Sequence, residues 1–270
     1  MPTKLGQNFL KDNSVIGKII AAANLRPDDF VIEIGPGKGI LTEKLAEKAG
    51  KVSAIEIDRN LVEFLRNKFK DKKNIEIINA DILKINLPEL LGNQMSQYKI
   101  VANIPYYITS PIIRLFLEQK LQPEKMILMI QKEVAERIVA KPGEMSILAV
   151  AVQHYADSKI LFDVPKTAFE PAPKVDSAVI EITPQKIFDK EKDARFFRIV
   201  RAGFSGKRKT LLNNFSASFH LDKKEAEEKL KTAGINPTAR AQELSLENWK
   251  NLTKIFSNSE KQSSPELFRK

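Results

Sequence analysis

The feature of this chain that most limits its fold is an alternation, repeated five times between residues 29 and 139, of short apolar segments and segments with helical periodicity. The apolar segments are mostly continuous runs, which is typical of strands buried on both faces of a sheet. Strands that alternate with helices pair in parallel and carry the helices on both faces. The sequence therefore predicts an α/β fold with strands over residues 29–34, 51–57, 74–78, 98–102 and 125–130.

The pattern changes in the second half of the chain. A helix over residues 146–155 and two strands over 159–164 and 177–183 are predicted, and beyond Pro184 and the charged segment 188–195 the periodicity is only helical. The helical segments cover residues 194–204, 209–219, 223–232 and 246–256, with Asp222 and Ser245 as expected caps. The predicted organisation is a large α/β domain over 1–184, a smaller all-helical domain over 185–256 and a disordered polar tail over 257–270.

The positive charge is concentrated in the last third of the chain. The whole protein has a net charge of +10, and residues 184–270 contain 19 Lys and Arg against 11 Asp and Glu. A basic surface attached to a less charged domain favours a polyanionic partner, with nucleic acid as the first candidate. The alternative is a basic face that only increases solubility.

Composition excludes several classes of protein. The sequence has no run of 18 apolar residues and no apolar leader, so we expect a soluble, cytoplasmic protein without a membrane partner. It has no cysteine, which excludes disulfides and thiolate zinc sites, and its two histidines, His154 and His220, are too few for a convincing metal site. We interpret both histidines as structural or surface residues. No feature of the sequence requires more than a monomer.

A glycine-rich loop, Glu33-Ile-Gly-Pro-Gly-Lys-Gly39, follows the first predicted strand and precedes a helix. Glycines there allow a tight turn and a close approach of ligand to backbone, as in dinucleotide-binding and S-adenosylmethionine-binding folds. The spacing G-x-G-x-G and the acidic Glu33 argue against a pyrophosphate and favour a cationic ligand. Gly35 and Gly37 are therefore candidate cofactor-binding residues.

Polar side chains also stand at the ends of the next strands. Glu56 ends the second strand and is placed to bind two ribose hydroxyls, while Asp81 ends the third and is placed to bind an adenine amino group. Asn103 follows the fourth. Ligands of open α/β sheets bind at this edge, so these residues indicate a crevice for an adenosine that carries a positively charged group. S-adenosylmethionine is a ligand of this kind.

The segment Asn103-Ile104-Pro105-Tyr106 faces the same crevice. The side-chain oxygen of Asn103 and the carbonyl of Ile104 could accept the two N–H groups of an exocyclic amino group and direct its lone pair at a methyl group. Pro105 would fix the turn, and Tyr106 would stack on the base. Phe169, in a proline-rich loop, is a second candidate platform for a base turned out of its stack; the alternative is that Phe169 fills the core.

Four segments together resemble the ribosomal RNA adenine N6-dimethyltransferases: Gln7–Leu10, Glu33–Gly39, Asn103–Tyr106 and Phe169–Ser177. The resemblance extends from about residue 7 to residue 252, and the segments 203–214 and 240–245 are most similar to the small-subunit branch of that family. It implies transfer of two methyl groups to each of two adjacent adenosines in the 3′-terminal hairpin loop of 16S rRNA. The implied partner is small-subunit rRNA or an assembling 30S subunit, and the implied process is ribosome biogenesis.

The resemblance also assigns residues. It carries the cofactor contacts over onto Asn8, Leu10, Gly35, Glu56, Asp81 and Asn103, and the base platform onto Tyr106 and Phe169. Gln7–Leu10 could fold over the cofactor as a lid, and the cluster Lys207-Arg208-Lys209 suits contacts with RNA phosphates. Tyr107 stands where many bacterial relatives have asparagine.

Three other functions are compatible with parts of this pattern. A macrolide-resistance (Erm-like) methylase of large-subunit rRNA would share every catalytic residue, and only the C-terminal motifs argue against it. A non-catalytic RNA-binding assembly factor would not need the Asn103–Tyr106 segment. A dinucleotide-dependent oxidoreductase is disfavoured by the glycine spacing and by the basic C-terminal part.

Overall fold

A computed structural model of the protein describes residues 8–92, 98–185 and 188–260. Its main element is a seven-stranded sheet in the order β4-β3-β2-β5-β6-β9-β7, and a separate two-stranded ribbon joins β1 to β8. The strands are β1 (Phe9–Leu10), β2 (Phe30–Ile34), β3 (Lys51–Glu56), β4 (Ile75–Asn79), β5 (Tyr98–Asn103), β6 (Lys125–Gln131), β7 (Ala156–Val164), β8 (Phe169–Glu170) and β9 (Ser177–Pro184).

Helices connect and follow these strands. They are α1 (Asn13–Ala23), α2 (Ile40–Ala46), α3 (Arg59–Lys68), α4 (Leu87–Leu91), α5 (Thr109–Leu117), α6 (Lys132–Ile138), α7 (Ile147–Tyr155), α8 (Lys190–Gly203), α9 (Leu211–Phe219), α10 (Lys223–Thr232) and α11 (Leu246–Glu260). Among the described residues, none of these helices combines the length and the apolar character needed to cross a membrane.

The predicted parallel sheet is confirmed. Strands β2 to β6 pair in parallel, while β9 is antiparallel to both β6 and β7. Strand order reverses between β2 and β5, since chain connections run outward from this pair in both directions. The pairing of β2 with β5 extends only from Phe30 with Tyr98 to Ile32 with Ile100, so the carboxyl ends of these two strands separate.

The chain forms two compact units, and each is discontinuous in sequence. The first comprises residues 1–136 and 155–187, and the second comprises 137–154 and 188–270. The sequence analysis placed 137–154 in the α/β domain. In the structure this segment packs with the C-terminal helices, because Met145, Ala149 and Val150 belong to the same apolar core as Trp249 and Phe215.

The bounds of several elements also differ from the prediction. Helix α8 begins at Lys190, capped by the Asp189 side chain, so most of the charged segment 188–195 is helical. Helix α11 continues to Glu260, which makes the start of the predicted tail helical, whereas 261–270 lie outside the described residues. Strands β1 and β8 and helices α1 and α4 were not predicted.

The helix caps and histidines have structural roles. The Asp222 side chain accepts a hydrogen bond from the Glu225 backbone N–H, and Ser245 accepts one from Asn248, as predicted. His220 ends α9 in the left-handed conformation, with φ of 55°. His154 is buried, lies 2.8 Å from Asp193 and stacks on a phenylalanine ring.

A buried ion pair joins the amino-terminal ends of β2 and β5. Lys99 Nζ lies 2.7 Å from Asp29 Oδ2, and both side chains are at most 5% exposed. Burial alone would raise the pKa of Asp29, but hydrogen bonds from Lys99 and from the Arg26 backbone outweigh it and lower the pKa. The lysine also donates to the carbonyl oxygen of Asn24, so the pair ties the first helix to the centre of the sheet.

We expect Lys99→Met to lower the free energy of unfolding by about 3 kcal/mol, because the buried Asp29 carboxylate loses its buried cation and keeps only the half-exposed Arg26 as a charged partner. Urea denaturation at pH 7 measures the loss. The control is Lys44→Met, which removes an exposed ion pair with Glu47 and should change stability by less than about 1 kcal/mol. Equal losses in the two variants would contradict the expectation.

Candidate active site

A cavity of about 480 Å³ lies at the carboxyl ends of β2, β3, β4 and β5. This volume is in the range of sites for small ligands. The cavity brings together every residue that the sequence analysis assigned to cofactor binding or to catalysis. These are Asn8, Leu10, Gly35, Gly37, Glu56, Asp81, Asn103, Ile104, Pro105, Tyr106 and Phe169. Their chemical roles stay predictions.

The glycine loop forms one wall of the cavity. Gly37 has φ of 56°, and a Cβ atom there would lie 3.0 Å from the ring of Phe9. Lys38 Nζ lies 5.0 Å from the centre of the same ring, so Phe9 is held against the loop. A Cβ atom at Gly39 would come within 2.7 Å of Leu65, which shows that the third glycine permits close packing against α3.

A buried acid lies beneath the loop. Glu33 is the last residue but one of β2 and lines the cavity, and its side chain is only 1% exposed. Its Oε2 atom has no hydrogen-bond partner among the described residues. Burial raises the pKa of Glu33 to about 8, and the nearby Glu56 carboxylate acts in the same direction. An acid of this kind would be stabilised in its charged form by a cationic ligand.

The two other carboxylates are fixed by backbone hydrogen bonds. Glu56 Oε1 accepts from the Asp58 N–H at 3.0 Å, and burial raises the pKa of this carboxyl although backbone N–H groups oppose the shift. Asp81 Oδ1 accepts from the Leu83 N–H at 3.0 Å, while Oδ2 lies 3.7 Å from Lys84 Nζ. Both side chains are therefore oriented before any ligand binds, and the partners of Asp81 compete with the predicted adenine contact.

The turn after β5 forms the opposite wall. The Ile104 N–H donates to the Met129 carbonyl, and the Ile108 N–H donates to the Pro105 carbonyl, so neighbouring backbone fixes the turn at both ends. The Asn103 side chain and the Ile104 carbonyl make no hydrogen bond to other described residues. Both oxygens therefore remain available to a ligand, as the prediction requires. Tyr107, 66% exposed, stands at the mouth.

Phe169 lies both in the core and at the cavity. It is 2% exposed and packs with Leu10, Ala168 and Val164. Its strand, β8, pairs antiparallel with β1, so Phe169 faces Leu10 in register. The core-filling alternative thus describes the position of the ring in this structure, and its role as a base platform stays a prediction. Gln7, the first residue of the expected lid, lies outside the described residues.

The basic cluster of the second unit lies on a loop with a fixed backbone. Lys207, Arg208 and Lys209 are exposed between α8 and α9. The buried Asn214 amide donates to the carbonyl oxygens of Gly203 and Gly206, at 2.6 and 3.2 Å. The structure therefore presents three cations on a braced loop, and contact with RNA stays a prediction.

Sequence reasoning missed three features of these sites. Ile57 and Leu83 are exposed apolar residues that line the cavity, and the signal for Ile57 was an apolar residue between two acids at a strand end. Phe9 was quoted only as part of a motif, although it packs on Gly37. Asn214 was quoted only as the last residue of the segment 203–214, because nothing in a single asparagine reveals its carbonyl partners.

The residues present fit S-adenosylmethionine. Gly35 and Gly37 line the cavity, Glu56 and the buried Glu33 offer carboxyl groups whose charged forms a cationic ligand would stabilise, and apolar side chains flank the space between them. Among the residues that the structure describes, no group of His, Asp or Glu side chains is arranged to hold a metal ion. Fold and site together define a Rossmann-like, S-adenosylmethionine-dependent methyltransferase.

Comparisons with known proteins give the family. Residues 1–258 match the family described as ribosomal RNA adenine dimethylase. The chain is 48% identical over 250 residues to the ribosomal RNA small subunit methyltransferase A of Dehalococcoides mccartyi, which covers 92% of this chain and 86% of that protein. The chain belongs to the ribosomal RNA adenine dimethylase family.

Two solved structures have the same fold over nearly the whole chain. A dimethyladenosine transferase from Plasmodium falciparum aligns with a TM-score of 0.82 and 28% identity, covering 93% of this chain and 98% of that one. The 23S rRNA methyltransferase ErmE aligns with a TM-score of 0.72 and 31% identity, covering 93% and 100%. The predicted fold class and family are confirmed.

Glu33 should make stability fall as the pH rises. Its folded pKa of about 8 lies above the ordinary value of 4.5, so the folded state keeps a proton that the unfolded state releases, and this contribution is lost as the pH rises through 8. We expect the free energy of unfolding to fall by roughly 3 kcal/mol more in the wild type than in Glu33→Gln between pH 6 and pH 9. Urea denaturation at both pH values measures the difference.

The exposed variant Glu63→Gln is the control, and it should follow the wild type at both pH values. Parallel pH profiles for Glu33→Gln and the wild type would show that Glu33 is ionised in the folded protein.

Proposed function

We propose that this protein dimethylates the N6 amino groups of two adjacent adenosines in the 3′-terminal hairpin loop of 16S rRNA, as part of small-subunit biogenesis in the cytoplasm. The observation that carries the proposal is that the glycine loop and the Asn103–Tyr106 turn line one cavity. Donor and acceptor of a methyl group would therefore meet in one place. The 48% identity to a ribosomal RNA small subunit methyltransferase over 92% of this chain supports the choice of substrate.

The cofactor would be held by the residues around the glycine loop. Glu56 would bind the ribose hydroxyls, Asp81 the adenine amino group, and Asn8 and Leu10 would cover the ligand from β1. When bound, S-adenosylmethionine supplies an electrophilic methyl group on a positively charged sulfur. Glu33 and Glu56 would stabilise that charge, because they are acids buried beside the same cavity.

The target adenine would be positioned by the turn after β5. Its amino group is a weak nucleophile, because the nitrogen lone pair is delocalised into the ring. The Asn103 side-chain oxygen and the Ile104 carbonyl would accept its two N–H groups and so favour a tetrahedral nitrogen with a localised lone pair. Tyr106, and Phe169 after a change of its packing, would hold the base by stacking. Catalysis would rest on orientation and electrostatics.

The second unit would bind the rRNA backbone. Lys207, Arg208 and Lys209 would contact phosphates, and the hydrogen bonds of Asn214 would keep their loop in place. A structured rRNA or an assembling 30S subunit would bind to this basic loop. A monomer would be sufficient to bind both the cofactor and the rRNA.

The experiment that tests the function is transfer of labelled methyl groups to purified unmethylated small and large ribosomal subunits offered in parallel. We expect label in the small-subunit rRNA, recovered as dimethyladenosine. Label in the large-subunit rRNA would keep the chemistry and overturn the substrate. The absence of label from both, with cofactor bound, would favour a non-catalytic RNA-binding factor.

Two substitutions should separate catalysis from cofactor binding. Asn103→Ala removes one acceptor for the target amino group and should lower kcat by at least about 100-fold, with cofactor affinity changed by less than about threefold. Glu56→Ala removes the ribose contact and should weaken cofactor binding by at least about tenfold. Calorimetry and single-turnover assays measure the two effects, and normal turnover in Asn103→Ala would remove it from the catalytic set.

The basic loop should set the salt dependence of RNA binding. Replacing Lys207, Arg208 and Lys209 by alanine should reduce the slope of log K against log salt by about 0.7–0.9 for each phosphate contact that is lost. The matched control replaces Lys223, Lys224 and Lys231 by alanine. These are three exposed lysines of α10, so the net charge changes by the same amount. Equal slopes in the two triple variants would show that only net charge matters.

A further inference from the structure

A hydrogen bond links the proposed base platform to a distant strand. The hydroxyl oxygens of Tyr106 and Ser177 lie 2.8 Å apart, although 71 residues separate them in the sequence. This is an ordinary O–H···O distance. Tyr106 is partly buried and lines the cavity, whereas Ser177 is completely buried. Ser177 is the last residue of the motif Phe169–Ser177, and it is not among the proposed cofactor-binding or catalytic residues.

Ser177 is paired with a neighbouring strand on each of its two sides. It is the first residue of β9, which lies between β6 and β7, and it faces Gln131 on one side and Val164 on the other. The residue before it is fixed as well, because the Asp176 carboxylate accepts from the Lys166 N–H at 2.9 Å and its carbonyl accepts from the Lys132 N–H at 3.1 Å. The hydroxyl of Ser177 is therefore an anchor in a rigid position.

Tyr106 needs an anchor of this kind. It begins the short 3₁₀ turn Tyr106–Ile108, and the Thr109 hydroxyl donates to its carbonyl at 3.2 Å, so its backbone is fixed. A tyrosine side chain can take up to three staggered orientations about its Cα–Cβ bond, and each places the ring in a different position. A fixed backbone therefore does not by itself decide where the ring lies, whereas a hydrogen bond to the hydroxyl at the far end of the ring holds it in one of these orientations.

We propose that Ser177 is a positioning residue that holds the ring of Tyr106 at the place where the target adenine stacks on it. It acts only through Tyr106, since its own side chain is buried behind the platform. The inference rests on the proposed function, because the base is the one whose amino group receives the methyl groups. The loop that begins at Phe169 ends at Ser177, so one connection positions both aromatic residues of the proposed clamp.

The test is a double-mutant cycle on methyl transfer to small-subunit rRNA. Ser177→Ala and Tyr106→Phe each remove one hydroxyl of the pair and keep the aromatic ring. We expect kcat to fall roughly 3- to 10-fold in each single variant, with the KM for the cofactor unchanged. The double variant should be no more than about twofold slower than either single variant. Wild-type kcat in Ser177→Ala, or single effects that multiply in the double variant, would overturn the inference.

Ser53→Ala is the matched control. Ser53 is also a completely buried strand serine, and its hydroxyl donates to Glu76 Oε2 at 3.2 Å, away from the catalytic turn. We expect its kcat to stay within about twofold of the wild type, even if its stability falls as much as that of Ser177→Ala. An equal loss of kcat in both alanine variants would mean that Ser177 only stabilises the sheet.

A second readout does not depend on methyl transfer. A hairpin RNA with 2-aminopurine at the target position should lose fluorescence when its base stacks on the wild-type protein, and Ser177→Ala should quench it less at saturation. Equal quenching would overturn the inference. If the wild type transfers no methyl group to either subunit, the proposed function fails, and the fluorescence comparison of the wild type with Ser177→Ala alone decides the role of Ser177. If the wild type in that case does not quench the fluorescence, the proposed role of Ser177 fails as well.

Discussion

The parallel pairing of β2 with β5 is the constraint on which the rest of the site depends. Strand order reverses at this pair, so the loops that leave its carboxyl ends diverge and open a crevice between them. The pairing also stops at Ile32 and Ile100, which widens the opening. One loop carries the glycines and the other carries Asn103 and Tyr106. They still approach each other closely, because a Cβ atom at Gly35 would lie 3.7 Å from Pro105.

Buried charge is treated differently at the two ends of these strands. At the amino-terminal end, Asp29 is matched by Lys99 within the protein. At the carboxyl end, Glu33 is buried with an oxygen that no described residue hydrogen-bonds. The first ion pair is complete within the protein, whereas Glu33 keeps its proton and leaves an acid whose charged form a cation from outside would stabilise. The amino-terminal ends of β2 and β5 therefore stabilise the sheet, while the carboxyl end of β2 places a buried acid where a cationic ligand would stabilise its charged form.

Much of the catalytic unit could be predicted from sequence because its signals are local. Buried strands, the glycine loop and the polar residues at strand ends are each readable within about seven residues, and all of them meet at one cavity.

The features that were not predicted depend on partners that are distant in the sequence. Residues 137–154 looked like part of the α/β domain, but Ala149 and Val150 find their apolar neighbours in the C-terminal helices. Strand β1 is two residues long and exists only because β8 pairs with it. Phe169 satisfied two interpretations at once, since the same ring packs in the core and lines the cavity.

The interleaving of the two units has a consequence for how the chain is made. Strand β9 pairs on both sides within the sheet, so the sheet stays incomplete until residue 184 has left the ribosome. Residues 137–154 emerge earlier but must wait for the helices that begin at residue 190. During synthesis the growing chain therefore carries two unfinished cores at once, each exposing apolar surface that only later residues cover. A cut at residue 184 would leave one of these segments permanently without its neighbours, so the two units are separable in space but not along the chain.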